Sequence, residues 1–115
     1  MAKSILRDKS KELAKEIILF CRDTKMPSAL SNQLLRSGTS IGANIHEANY
    51  AQGKRDFISK LEIALKECFE TEYWLELLYE TDCINEDVFK SLAQNAGTIR
   101  RLLISSIKTA KSNLN

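Results

Sequence analysis

The sequence predicts an all-α fold, an up-down-up-down antiparallel four-helix bundle. Three observations predict it. Apolar residues recur at three- and four-residue spacing almost from end to end, and no stretch alternates with a period of two. A single Pro and four Gly leave few breaks in 115 residues, so the elements are few and long. The breaks fall near Pro27, Gln52-Gly53 and Asn85, and short connections favour antiparallel neighbours.

The first helix is expected over residues 4–23, with Leu6, Leu13, Ile17 and Phe20 turned inward. Pro27 ends it, because the residue before a proline is pushed out of helical geometry. The second runs from about 29 to 49, with Ser28 as its N-cap. The third, over 54–79, has the clearest pattern. Phe57, Leu61, Ala64, Cys68, Thr71, Leu75 and Leu78 alternate four-three spacing without a slip, the seam geometry of a left-handed bundle. Asn85 caps the fourth helix, and Glu86 and Asp87 suit its positive N-terminal end. Leu92, Ala96, Ile99, Leu103 and Ile107 form its inner face. The whole chain, 1–115, reads as one domain.

The second helix contains residues that weaken helix interiors: Gly38, Thr39, Ser40, Gly42 and Asn44. Each Gly costs about 0.8–1 kcal/mol relative to Ala. The expected return is close backbone approach, a polar contact or a kink; in the structural reading Gly38 and Gly42 let another helix approach closely. Arg36, Ser40, Asn44 and Glu47 fall near one face, with Arg55 as a candidate partner for Glu47. Two readings of this polar motif stand: a network that fixes the packing, or the lining of a binding groove. His46 adds the one histidine.

On the third helix a second strip, Ile58, Leu65, Phe69 and Tyr73, lies off the main seam. It is either a wide apolar face or an oligomer interface, where aromatic anchors are favoured. The net charge of +2 hides segregation. Residues 61–86 carry one basic and eight acidic side chains, whereas residues 1–25 carry seven basic and four acidic. Lys3, Arg7, Lys11 and Lys15 form a ridge at four-residue spacing. Together with Lys54, Arg55, Arg100, Arg101, Lys108 and Lys111 they are candidate contacts for RNA or DNA, although the bland reading is a set of solvated faces. Helices one and three sit diagonally in such a bundle. A subunit basic on one side and acidic on the other suits head-to-tail association.

Several chemistries lack their residues. One histidine excludes a Glu-x-x-His di-iron site, and no two-Cys, two-His zinc spacing exists. The glycine segment has neither the Lys-Ser/Thr ending of a phosphate loop nor a preceding strand. Ser105-x-x-Lys108 has the spacing of a penicillin-binding dyad without its companion motifs. No catalytic residue, metal or cofactor is expected, and no small-molecule substrate. Cys21, Cys68 and Cys83 are an odd set without paired spacing, which suggests reduced thiols and a cytoplasmic protein. The longest apolar run, 17–21, is far too short to span a membrane.

The segment from Ser37 through Ile41, Asn44, Ile45, Glu47 and Ala48, followed by Lys54-Arg55-Asp56-Phe57 and the helix carrying Leu61, Glu62, Ala64 and Leu65, resembles the bacterial four-helix-bundle family, also called the 23S rRNA intervening-sequence protein family. Ala48 stands where many members have Gly, and Asp56 where many have Glu. The resemblance covers nearly the whole chain. It implies a small helical bundle that assembles into a ring-like homo-oligomer, a pentamer, with no established enzymatic activity. Relatives that act beside retroelement reverse transcriptases are basic and bind nucleic acid, whereas this chain is nearly neutral. The function expected is a non-enzymatic oligomeric scaffold or adaptor, with a nucleic-acid-binding module as the alternative.

Overall fold

The computed structural model describes residues 2–114, with side chains from residue 5 onward. Four helices follow one another: α1 (Ala2–Asp23), α2 (Ser28–Ala48), α3 (Lys54–Glu80) and α4 (Glu86–Ser112). Helices adjacent in the chain pack on each other, and α1 closes the bundle against α4. The backbones of the diagonal pairs, α1 with α3 and α2 with α4, do not come within 8 Å of each other among the described residues. This is the up-down-up-down bundle, 48 × 20 × 19 Å in extent.

The helix ends follow local chemistry. The Asn85 side chain accepts from the Val88 N–H at 2.9 Å, as its position predicts. At α2 the expectation is corrected. Pro27 is the N-cap and Ser28 the first helical residue, with no side-chain cap. Pro27 instead offers its carbonyl to the Leu30 and Ser31 amides, both at 3.1 Å. Asp82, at φ 61°, reverses the chain after α3 and lets Ile84 tuck into the core.

Leu61, Ala64, Cys68, Thr71, Leu75 and Leu78 of the α3 seam are buried, and Phe57 is half-buried at the end of the bundle. Leu92, Ala96, Ile99, Leu103 and Ile107 are buried from α4. The four helices share one hydrophobic cluster. In α1 the core positions are Leu6, Ser10, Leu13 and Ile17, so a small serine stands in the stripe. It does so where α2 comes close. A Cβ added at Gly38 would stand 2.4 Å from Ile17 Cδ1, and one at Gly42 would touch Ser10. The two glycines are therefore what lets α1 and α2 approach, and that contact offsets their helix cost.

Candidate functional site

The polar motif lies along the groove between α2 and α3. At about 100° per residue, Arg36, Ser40 and Glu47 return to the flank of α2 that faces α3. Arg36 bridges Glu67, at 3.2 Å, and Glu70 on α3. Glu70 also accepts from the Trp74 indole N–H at 2.9 Å, which gives the sole tryptophan its partner. At the other end of the groove Glu47 pairs with Lys60 at 3.0 Å. Arg55, the partner expected from sequence, is exposed and is not the one Glu47 takes. Asn44 is turned back on its own helix and donates to the Ser40 carbonyl at 2.9 Å. The motif thus makes an interhelical ladder of ion pairs.

Arg36, then the Trp74 N–H, hold the Glu70 carboxyl below the ordinary carboxylate range. A lowered folded-state pKa adds stability above the unfolded value and loses it as pH falls through the folded one. Because both side chains are partly exposed, the gain is within about 1 kcal/mol. We expect Glu70→Gln to shrink the difference in urea midpoint between pH 7 and pH 3 relative to the parent. An unchanged difference would contradict the assignment.

Beneath the ladder lies a polar contact that the sequence reading did not single out. The Thr71 hydroxyl is 3.1 Å from Ser37 Oγ and 2.8 Å from the Glu67 carbonyl, and Ser37 reaches the Leu34 carbonyl at 3.4 Å. Both residues are fully buried. Their mutual bond satisfies groups whose isolation would cost about 1–3 kcal/mol, and it fixes one axial register of α2 on α3.

The face between α3 and α4 differs. Arg100 pairs with Glu72 at 3.0 Å and Lys111 with Glu62 at 2.9 Å. These two pairs set the antiparallel register and place Ile104 level with Phe69. Phe69, Tyr73 and Ile104 are 52%, 57% and 44% exposed, an apolar strip between ion pairs. The Tyr73 ring stands edge-on to Trp74, with centroids 5.1 Å apart. Leu65 is half-buried against the core. Ile58 is a correction to the expected interface: at 5% exposure it is buried inside the subunit and is not offered to a neighbour.

A family model of the 23S rRNA-intervening sequence protein matches residues 2–105. The chain belongs to this family. A crystal structure of a protein with unknown function from the S23 ribosomal protein family of Bacteroides thetaiotaomicron is 49% identical to it. That similarity covers 94% of this chain and 99% of the other, with a TM-score of 0.89. Among curated proteins none matches. The family fold is thus the bundle described above.

Against this family frame, the basic residues do not form one surface. Lys3 lies outside the residues whose side chains are described. Arg7 pairs with Asp8, Arg100 with Glu72 and Lys111 with Glu62, and Lys54 donates to the Asn113 carbonyl at 3.0 Å. Arg101 donates to Thr98. Lys11, Lys15, Arg55 and Lys108 are exposed. α1 meets α4 through Glu16, which accepts from Asn95 at 2.6 Å and from Ser91 at 3.4 Å. Lys15 and Lys11 stand about 100° and 140° round α1 from Glu16, while Arg100 and Lys111 lean toward α3. The two basic sets therefore face different sides. The acidic half of α3 is also more neutral than its composition: Glu67, Glu70 and Glu72 are paired within the subunit, which leaves Glu76 and Glu80 exposed.

Among the described residues, no group of three His, Cys, Asp or Glu is placed to hold a metal. The three cysteines are free thiols. Burial, with Glu72 nearby, pushes the Cys68 thiol up to about 12. Its Sγ lies 3.3 Å from the Ala96 carbonyl, so it serves as a small apolar core residue. No described helix is long and apolar enough to cross a membrane.

Proposed function

We propose that the protein is a non-enzymatic scaffold that works as a head-to-tail homo-oligomeric ring, with five subunits as the family resemblance implies. The observation that carries this reading is the exposure of Phe69 and Tyr73 on α3. Large aromatics left half in water are typical anchors for a partner surface. A matching surface lies on the diagonal helix. Ile18 and Leu19 of α1 are 45% and 48% exposed, beside Lys11, Lys15 and Arg22. Because α1 and α3 lie diagonally, the two apolar strips point to opposite sides of the subunit. Glu76 and Glu80 beside one strip complement the lysines beside the other. Two different complementary surfaces on one subunit make heterologous contacts, and these close into rings when the rotation permits.

Native mass spectrometry of freshly purified full-length protein tests both the ring and the nucleic-acid reading. The expected result is one closed oligomer with no bound RNA or DNA. A monomer, or a simple two-fold dimer, at low salt would sink the ring. Bound nucleic acid that is lost steeply with salt would favour the basic residues as contacts.

A further inference from the structure

Contacts inside the bundle fix the height of each α1 residue against α3. Across α2, a Cβ at Gly42 would touch Ser10, and Ser37 bonds Thr71. Gly42 and Ser37 are five residues apart on an antiparallel helix, so Lys15, five residues above Ser10, stands level with Thr71. Across α4, Glu16 bonds Asn95, and Phe89 stacks on Tyr79. Asn95 and Phe89 are six residues apart, which sets Arg22 level with Tyr79. The two routes agree to within one residue, about 1.5 Å of helix.

On this scale the outward faces of α1 and α3 match when two subunits stand at equal height with the helices parallel. Lys66 falls between Asp8 and Glu12, Ile18 and Leu19 fall between Tyr73 and Leu77, and Arg22 falls between Glu76 and Glu80. Lys11 and Lys15, on the flank toward α2, bracket the level of Glu70 on the same flank of α3. Glu12, Lys66, Glu76 and Glu80 are exposed and make no ion pair within the subunit among the described residues. Asp8 takes only its chain neighbour Arg7. Arg22 gives Nε and Nη2 to its neighbour Asp23, which leaves Nη1 to reach outward. A slip of two turns, about 10 Å, destroys the match. In one direction Ile18 lands beside Lys66, and in the other Ile18 and Leu19 overshoot the end of α3 at Glu80.

We propose that α1 of one subunit lies parallel to α3 of the next with no axial step, held by acidic-to-basic contacts above and below an apolar centre. This rests on the ring reading and adds its register. Its consequence is closure: a head-to-tail contact with a rise grows an open filament, and one without a rise returns to its start.

The test uses the full chain with Cys21 and Cys83 replaced by Ser. Ile18→Cys with Tyr73→Cys is expected to give a ladder of covalently joined subunits on mild oxidation, since a disulfide needs Cα atoms within about 7 Å. Ile18→Cys with Lys66→Cys, about 12 Å off level, is expected to stay unlinked. Arg22→Glu alone, and Glu76→Arg with Glu80→Arg, are each expected to raise the subunit dissociation constant by about tenfold. All three substitutions in one chain are expected to restore assembly, because every interface then regains opposite charges. A parent that is a monomer in native mass spectrometry overturns the ring and this register together. A closed ring in which the first pair stays unlinked, or the second pair links, overturns the register and leaves the ring standing. So does a combined variant that stays dissociated. Filaments that lengthen with concentration overturn the absence of an axial step.

Discussion

Gly38→Val is expected to destabilise the bundle by about 1–3 kcal/mol, measured as a lowered urea midpoint with unchanged slope. The added Cβ would stand 2.4 Å from Ile17 Cδ1 and 3.3 Å from Ile17 Cγ2. Ile17 is fully buried, so its side chain has no free space to enter, and the two valine methyls widen the clash. The contact lies where α1 meets α2, so relief means pushing the helices apart. Gly97 on α4 is the control. A Cβ there would meet only the ends of the Arg101 and Arg100 side chains, at 3.4 and 3.6 Å. Gly97→Ala is therefore expected to raise stability by up to about 1 kcal/mol, the helix-propensity gain. Equal effects of the two substitutions would show that Gly38 is not a packing glycine.

Phe69→Glu is expected to dissociate the ring proposed above while leaving the subunit folded. At 52% exposure the ring contributes little to the core of its own bundle, so thermal unfolding of the isolated subunit should change little. At an interface the same ring is an anchor. Losing such an anchor costs at least about 2 kcal/mol, a factor of roughly 30 in each subunit–subunit dissociation constant. The new carboxylate adds a desolvation penalty and lies near Glu72 and Glu76. Sedimentation velocity at matched concentration reads the outcome. A variant that sediments with the parent would remove Phe69 from the interface, and a variant that unfolds would place the ring in the core instead.

The seam of α3 is readable from sequence because a strict four-three spacing leaves one way to bury it. The Asn85 cap and the close approach at Gly38 and Gly42 are readable for the same reason: each rests on the physics of a single residue. What escapes is whatever depends on the register between helices. Glu47 takes Lys60 instead of Arg55 because side chains three or four turns apart in the chain meet only once α2 is set against α3. Ile58 and Phe69 share one strip in the sequence, yet the first is buried and the second exposed. Ser10 and Ser37 are polar by type and buried in fact. Their hydroxyls bond to the Arg7 and Leu34 carbonyls in their own helices, which lets small polar residues occupy core positions. The paired glutamates of α3 likewise make the charge tally a poor guide to the outer surface.

The order in which the helices touch also governs how the chain reaches this structure. Three of the four packed seams join helices consecutive in the chain, so each can close as a local hairpin. Chains dominated by such short-range closures fold in about microseconds to milliseconds. The α1–α4 seam is the exception, since it waits for the full length to be present. During synthesis α2 and α3 are complete before α4 emerges to close the core, so α1 has no partner for its α4-facing flank until the last helix is released.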